Sequence, residues 1–291
     1  MQHPVARDKD GYPIIGPRRY ALYDHGWGRG DYKLPPAPAD LPAPRQQTTY
    51  ACDNCHDTGW LLVGDRRAAT RCQCWEHQRR QRIYRESWRI DPRLNALADF
   101  ERREGTATNV ALIEDMIAGT CAGGFVFGGN GGGKSHLANI IANHIIEQGG
   151  EVVSLYQADL TAKLNSMTST DEQSQLDAYC RRLARVKLLI INEIEPRWTR
   201  RQWESLQHRI WDVRYEAAAR SGPGSYPLTL FVSNFAPSIL RTTAEQLAAA
   251  DSNVAANWPQ FFSRLRDARH FRCVINEAQD YRPKATNPIH M

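Results

Sequence analysis

From residue 121 onwards, short apolar runs alternate with longer segments in which apolar residues recur every three or four positions. The short runs predict strands at 124–128, 151–156, 186–192, 227–233 and 271–275. The longer segments predict helices at 134–147, 157–166, 172–185, 199–219 and 258–267. Runs that are apolar throughout are typical of parallel strands covered on both faces. We therefore predict an α/β domain over 98–291, built on a parallel five-stranded sheet.

The first 97 residues do not show this alternation. Residues 1–50 are poor in aliphatic side chains and rich in proline, which predicts an irregular arm. Aromatic residues scattered along the arm leave open that it binds a partner. Residues 51–76 hold four cysteines and predict a small module of their own. An Arg-rich stretch follows at 77–97, and it suits a helical linker that stops near Asp91 and Pro92.

The net charge is +5 and the sequence pI is about 8.8, a mildly basic balance that permits a nucleic-acid partner. The N-terminal residues carry no apolar signal segment, and no apolar run is long enough to span a bilayer. We therefore expect a soluble, cytoplasmic protein without a membrane partner. Seven cysteines in a reducing compartment indicate metal ligation and free thiols, and Cys121, Cys180 and Cys273 are expected to be buried thiols.

Residues 128–135 fit the phosphate-binding pattern GxxxxGK[ST], between a predicted strand and a predicted helix. Glycines let the backbone N–H groups converge on phosphate oxygens, and the following helix points its positive end at the same anion. Lys134 would reach the β- and γ-phosphates of ATP, and the Ser135 hydroxyl would ligate Mg²⁺. The residues expected to bind nucleotide here are Gly128, Gly129, Asn130, Gly131, Gly132, Gly133, Lys134 and Ser135.

The apolar run at 186–191 ends in Asn192 and Glu193. Glu193 is placed to orient and polarise the attacking water. Asn192 stands where an Asp is usual; it keeps the shape but loses a charge near Mg²⁺, which is worth on the order of a few kcal/mol. We therefore expect weaker metal binding and slow hydrolysis, with Asn192 still beside the nucleotide.

Two later positions complete the predicted catalytic set. Asn234 ends the strand at 227–233, where a polar amide can sense the γ-phosphate between the P-loop and Glu193. Arg264 lies on a short helix and could act in trans on the phosphate of a neighbouring subunit, with Arg266 as its nearest rival.

The four cysteines of the module have the spacing C-x₂-C-x₁₆-C-x-C. Paired thiolates across a short hairpin can close a tetrahedral zinc site, and a unit this small would take its folding energy from the metal. We expect the ligands to be Cys52, Cys55, Cys72 and Cys74, with a turn at Gly64 and Asp65; His56 or His77 could replace one cysteine.

Three stretches resemble the DnaC/DnaI-type helicase loaders, which are AAA+ ATPases with IstB-like relatives. They are Lys134-Ser135-His136-Leu137-Ala138, the strand Leu188-Leu189-Ile190-Ile191-Asn192-Glu193-Ile194, and Ser263-Arg264-Leu265-Arg266 with Asp280-Tyr281-Arg282. The resemblance covers about 98–283, and the cysteine module resembles the zinc-binding N-terminal domain of some bacterial and phage loaders.

The resemblance implies an ATPase that forms homo-oligomers, with His136 at the nucleotide, Arg264 as arginine finger and Arg282 as a second phosphate sensor. It implies that the N-terminal part engages a ring-shaped, DnaB-type replicative helicase and that the ATPase face binds single-stranded DNA. Arg197, Trp198 and Arg200 mix cations with an aromatic after the acidic strand, so they are the predicted DNA contacts. The Arg-rich helix from Arg79 to Arg93 is the second candidate, and a solvated linker face is the alternative interpretation of that helix. Trp203 recurs at helical spacing with other apolar residues and is expected in the core.

Two other functions fit the same residues. One is the ATPase partner of a transposase, as in IstB-type proteins, because it shares the ATPase domain. The other is an ATP-gated DNA-binding adaptor that does not hydrolyse ATP, which Asn192 motivates.

Overall fold

A computed structural model of the protein describes residues 51–63, 68–87, 90–167 and 170–278. The predicted N-terminal arm, the turn at Gly64 and Asp65, and the Asp280-Tyr281-Arg282 stretch lie outside the described residues. Among the described residues, no helix is both long and apolar enough to cross a lipid bilayer.

The cysteine module contains a two-stranded antiparallel hairpin, formed by β1 (Trp60–Val63) and β2 (Ala68–Arg71). Helix α1 (Gln73–Glu86) begins directly after it. A short 3₁₀ turn (Leu97–Asp99) and helix α2 (Ala107–Ile117) then lead into the sheet.

The five strands of the main sheet are parallel throughout, as predicted from the apolar runs. They are β3 (Gly123–Gly128), β4 (Val152–Tyr156), β5 (Leu188–Asn192), β6 (Leu228–Ser233) and β7 (Phe271–Asn276). Their order across the sheet is β4-β5-β6-β3-β7. Because parallel strands share one carboxyl edge, the residues that follow β3, β6 and β5 lie side by side. This confirms the predicted α/β class and brings the predicted site residues together.

Helices cover both faces of the sheet. They are α3 (Lys134–Glu147), α4 (Gln157–Ser166), α5 (Thr170–Arg185), α6 (Arg200–Glu204), α7 (Asp212–Arg220), α8 (Pro237–Ala250) and α9 (Pro259–Leu265). The segment Ser205–Trp211, between α6 and α7, is π-helical. Sequence reasoning missed α8, although its proline at the first turn and its alanine-rich end are helix signals.

Helix α6 begins with a capping box. The Thr199 hydroxyl accepts from the N–H of Gln202, and the Gln202 side chain accepts from the N–H of Thr199. This start is followed by the buried residues Trp203, Leu206, Ile210 and Trp211. The burial of Trp203 confirms its predicted place in the core.

Helix α1 packs along α3, the helix that follows the P-loop. The buried guanidinium of Arg79 donates to the carbonyls of Ile146 (2.6 Å) and Gly150 (2.7 Å), at the carboxyl end of α3. A cation is favourable there because the last carbonyls of a helix lack intrahelical donors. Arg79 also pairs with Glu76, and this hydrogen bond, with that of Arg80, lowers the pKa of the Glu76 carboxyl to about 2.

Two asparagines on α3 extend this contact towards the nucleotide end. The buried Asn143 accepts from the Tyr84 hydroxyl and donates to the carbonyls of Asp91 and Leu94. Asn139 accepts from the N–H of Asp91 and donates to the carbonyl of Ser135, at 2.6 and 2.8 Å. The chain leaving α1 is therefore hydrogen-bonded to the first turn of the P-loop helix.

Candidate nucleotide site and cysteine cluster

The P-loop joins β3 to α3, and its backbone conformation requires glycine. Gly128, Gly131 and Gly133 have φ of +146°, +74° and +85°, values that favour glycine. A Cβ on Gly128 would lie 2.1 Å from the carbonyl oxygen of Asn276. The ammonium of Lys134 donates to the carbonyls of Gly128 (2.9 Å) and Gly129 (2.6 Å). It therefore lies over the P-loop, where it is predicted to contact the β- and γ-phosphates.

Asn276, at the end of β7, braces the P-loop, and sequence reasoning did not find it. Its side-chain amide donates to the carbonyl of Gly132 at 2.8 Å, and its side-chain oxygen accepts from the N–H of Ala278 at 3.0 Å. Both bonds are buried. The sequence signal was weak, because an asparagine at a strand end is ordinary and its partner lies 144 residues away.

Glu193 follows β5 in a left-handed conformation, with φ of +54°. Such a conformation is uncommon for a residue other than glycine and is often found at functional sites. The turn is held by the N–H of Ile194, which donates to the carbonyl of Val232 on β6 at 2.9 Å. The Glu193 carboxylate accepts from the hydroxyl of Tyr156, and this hydrogen bond raises the pKa of Tyr156.

Asn192 is buried at the end of β5 and faces β4. Its side-chain amide donates to the Ser154 hydroxyl at 3.0 Å and to the Leu155 carbonyl at 3.3 Å. An aspartate could not make the bond to the carbonyl, because it has no donor when ionised. Asn192 and Ser135 line one small cavity together with Asn139. The Asn192 amide thus has hydrogen-bond acceptors on β4, and the residue lies beside Ser135, the predicted Mg²⁺ ligand.

The remaining nucleotide residues lie as follows. Asn234 is exposed directly after β6, between the ends of β3 and β5 in the sheet order. His136 is half-buried on α3 and meets the ring of Phe100 edge to face, with centroids 5.2 Å apart. Arg282 lies outside the described residues.

Arg264 is held within its own chain. Its guanidinium forms an ion pair with Asp212 and lies 4.9 Å from the ring centroid of Tyr215, and its side chain is only 18% exposed. Asp212 begins α7, directly after the π-helical segment, and also accepts from Gln207 and contacts His208. To act in trans, Arg264 has to leave this carboxylate. Its rival Arg266 is exposed and lines a groove of about 320 Å³ between α8 and α9.

The four predicted cysteine ligands form one cluster in which all sulfurs lie within 4.8 Å of one another. The Cys52 and Cys72 sulfurs are 3.7 Å apart, and those of Cys55 and Cys74 are 3.2 Å apart. Tetrahedral zinc with Zn–S bonds of about 2.3 Å needs sulfurs about 3.8 Å apart, so the set fits zinc. Neither His56 nor His77 belongs to the cluster.

Helix α1 supplies two of these sulfurs, since Cys72 is its N-cap and Cys74 lies in its first turn. The positive end of a helix favours thiolates. Burial raises the pKa of the Cys55 thiol, but hydrogen bonds with Cys74 and the N–H of Gly59 outweigh it and lower the pKa to about 7.

Two sequence predictions are wrong. Trp198 was predicted to contact DNA, but its side chain is 0% exposed; it packs edge to face against Trp203 and donates to the Glu195 carbonyl. Arg197 and Arg200, its predicted companions, are exposed. Cys273 was predicted to be buried, but it is exposed on the edge strand β7, whereas Cys121 and Cys180 are buried as predicted.

The model of the family described as IstB-like ATP binding protein matches residues 68–221, just over half of the chain. The uncharacterized protein YdaV of Escherichia coli (strain K12) is 32% identical over 105 residues. That match covers 36% of this chain and 41% of YdaV, so the chain matches less than half of this relative's length.

Among solved structures, the chain is similar to the replication initiator DnaA bound to AMPPCP and single-stranded DNA. The identity is 16% and the TM-score is 0.50, over 66% of this chain and 52% of DnaA. A DnaC helicase loader is 17% identical with a TM-score of 0.43, over 64% of this chain and 97% of the loader. Of these two, the DnaA likeness supports the predicted AAA+ fold and nothing beyond the fold.

Proposed function

We propose that this chain, which belongs to the family of IstB-like ATP binding proteins, is an ATP-dependent helicase loader in DNA replication. In this role it binds a ring-shaped, DnaB-type helicase and single-stranded DNA. One observation carries the proposal: the four-cysteine cluster is continuous with a helix that docks on the P-loop helix. A partner held by the module is thereby coupled to the nucleotide end of α3.

The residues that would handle ATP and Mg²⁺ lie on adjacent elements. Lys134 would contact the β- and γ-phosphates, Ser135 would ligate Mg²⁺, and Glu193 would orient the attacking water. Asn192 offers an amide in place of a charge, so Mg²⁺ binds more weakly and hydrolysis is slow. Under this proposal ATP acts mainly as an assembly switch.

Homo-oligomerisation would bring Arg264 of one subunit to the γ-phosphate of the next, where Asn234 senses the same group. On assembly, Arg264 would leave the Asp212 carboxylate and pair with a more highly charged phosphate, which makes its release from Asp212 favourable. Arg197 and Arg200 are exposed and supply cations for a DNA backbone.

Zinc would be held by Cys52, Cys55, Cys72 and Cys74, and its chemistry is structural. Four thiolates close the coordination sphere and leave no open position for a substrate. The metal would fix the hairpin to the start of α1.

The test is capture of a hexameric replicative helicase by the full chain, with and without ATP. We expect capture to depend on Cys72, because the module holds the partner, and its ATP response to depend on Lys134. Accordingly, Cys72→Ser should abolish capture, whereas Lys134→Ala should retain it but lose the response to ATP. Failure of the wild-type chain to capture any hexameric helicase, with zinc and nucleotide bound, would refute the loader function.

A second function has support from the family match itself, since the matching family is described as IstB-like. In that case the chain is the ATPase partner of a transposase. Capture of a transposase by the wild-type chain, together with no capture of a helicase, would establish it. A third function, a non-hydrolysing adaptor, requires that wild-type turnover be absent; turnover that disappears in Glu193→Gln excludes it.

A further inference from the structure

We propose that Ser233, the last residue of β6, is a positioning residue of the ATPase: its buried hydroxyl ties the turn that carries Glu193 to the turn that carries Asn234. This role rests on the hydrolytic part of the proposed function. It gives the residue that would sense the γ-phosphate a direct connection to the residue that would orient the attacking water, although the two follow different strands.

The hydroxyl of Ser233 has a partner on each turn, and its side chain is almost fully buried. As a donor it bonds to the carbonyl of Ile194, the residue after Glu193, at 2.6 Å. As an acceptor it takes the N–H of Phe235, the residue after Asn234, at 2.9 Å. A hydroxyl can donate one hydrogen bond while it accepts another. This pair of bonds, the Ser233 bridge, therefore joins the residues that immediately follow both predicted catalytic residues.

Glu193 depends on such support because its backbone lies in the left-handed region. For a residue other than glycine, that conformation is costly and persists only where surrounding contacts hold it. The end of β6 holds Ile194 twice: the Val232 carbonyl accepts from its N–H at 2.9 Å, and the Ser233 hydroxyl donates to its carbonyl. Without the hydroxyl, the Ile194 carbonyl loses this partner, and the Glu193 carboxylate can turn away from the attacking water.

The position of Ser233 in the sheet puts the bridge at the nucleotide site. Strand β6 lies between β5, which precedes Glu193, and β3, which leads into the P-loop. In the parallel register Ser233 pairs with Phe127, the residue before the P-loop. Asn234 therefore follows beside the start of the P-loop. A γ-phosphate bound by the Asn234 amide would act, through the Ser233 bridge, on the turn that carries Glu193.

Gln157, at the start of α4, holds the same turn from the β4 side. Its side-chain oxygen accepts from the N–H of Glu195 at 2.6 Å, and its side-chain amide donates to the carbonyl of Arg197 at 3.3 Å. These bonds do not depend on the Ser233 hydroxyl. We therefore expect Ser233 variants to fold, with the turn in place and the Glu193 carboxylate misdirected.

The test measures phosphate release from radiolabelled ATP by the full, zinc-loaded chain, at a protein concentration high enough for subunits to assemble. A neutral hydrogen bond is worth about fivefold in a rate constant, so the loss of both bonds in Ser233→Ala should lower kcat about 25-fold. The value of kcat/KM should fall by the same factor and KM should stay unchanged, because the P-loop keeps its contacts with ATP.

Two further variants separate the hydroxyl from the volume of the side chain. Ser233→Thr and Ser233→Val add a similar volume and differ in the hydroxyl. The threonine variant should therefore keep most of the activity, and the valine variant should be as slow as Ser233→Ala. Ser221→Ala is the matched control, because it removes a serine hydroxyl that donates to the Ala217 carbonyl at the end of α7. It should hydrolyse ATP like the wild type.

Combination with Asn234→Ala distinguishes a bridge from a local packing defect. Residues that act as a unit have non-additive effects. If Ser233 connects Asn234 to Glu193, the double variant should be little slower than Ser233→Ala alone. Losses that multiply fully would show that the two residues act independently, which overturns the inference.

Wild-type turnover that is unchanged in Ser233→Ala overturns this inference alone and leaves hydrolysis through Glu193 standing. Equal turnover by the threonine and valine variants overturns it as well, because the hydroxyl then has no role. A raised KM with unchanged kcat would make Ser233 a residue of ATP binding and would also overturn it. If the wild type releases no more phosphate than Glu193→Gln, both the Ser233 bridge and the hydrolytic part of the proposed function fail.

Discussion

The bond between Asn276 and Gly132 provides the sharpest test of how the sheet supports the P-loop. Asn276→Ala removes two buried hydrogen bonds, at 2.8 and 3.0 Å, and leaves the Gly132 carbonyl and the Ala278 N–H without these partners. A net value of about 1 kcal/mol for each bond predicts a loss of about 2 kcal/mol in the free energy of unfolding. The bond to the Gly132 carbonyl holds the P-loop, and the loss of its share, about 1 kcal/mol, predicts about fivefold weaker ATP binding.

Asn276→Asp separates the hydrogen bonds from the volume of the side chain. One carboxylate oxygen still accepts from Ala278, but the other faces the Gly132 carbonyl as a second acceptor. We therefore expect this variant to be less stable than Asn276→Ala at pH 7. Its carboxyl would have a higher pKa in the folded state than in the unfolded state, so its stability should recover as the pH falls through the folded pKa.

Denaturant unfolding and titration with a fluorescent ATP analogue measure the two quantities for both variants. Thr108→Ala is the matched control, because its exposed hydroxyl donates to the carbonyl of Ile275, the neighbour of Asn276, without contacting the P-loop. It should change stability by less than about 0.5 kcal/mol. Wild-type ATP affinity in both Asn276 variants would show that β7 does not position the P-loop.

Four further predictions follow from individual contacts. Cys72→Ser, or removal of metal by a chelator, should lower the zinc content and the Tm together, because the cluster joins the hairpin to α1; an unchanged Tm after zinc loss would contradict this. Asn192→Asp should cost about 1–3 kcal/mol of stability without Mg²⁺ but tighten Mg²⁺ binding, and unchanged turnover would show that this position does not limit hydrolysis. Asp212→Asn should raise ATP turnover at low protein concentration by releasing Arg264, while Arg264→Ala should remove the dependence of turnover on concentration. The buried guanidinium of Arg214 donates to four carbonyls and to the Thr229 hydroxyl, and one ammonium cannot replace it. Arg214→Lys should therefore lower the free energy of unfolding by about 3 kcal/mol. A loss below about 1 kcal/mol would show that those bonds are weak.

The docking of α1 on α3 gives the nucleotide and the cysteine module a common structural element. Arg79 binds the carboxyl end of α3, and Asn139 joins the chain after α1 to the carbonyl of Ser135. A change in the first turn of α3 on nucleotide binding would therefore be transmitted to this segment. This is the physical basis on which the proposed ATP-dependent partner binding depends.

The sequence by itself determined the elements whose signals are local. The P-loop is a contiguous pattern with a required glycine conformation, and the buried parallel strands are runs of apolar residues covered on both faces. The cysteine pairs could be assigned to one cluster because their spacing suits a short hairpin.

The tertiary structure decided the features that depend on distant partners. A tryptophan beside arginines can stack on DNA or fill a core, and only the packing of Trp198 against Trp203 chose between them. The ion pair of Arg264 with Asp212 and the bond of Asn276 to Gly132 join residues far apart in the chain. No local pattern encodes such pairs, because each depends on where the folded sheet and its helices place two side chains that are separately unremarkable in sequence.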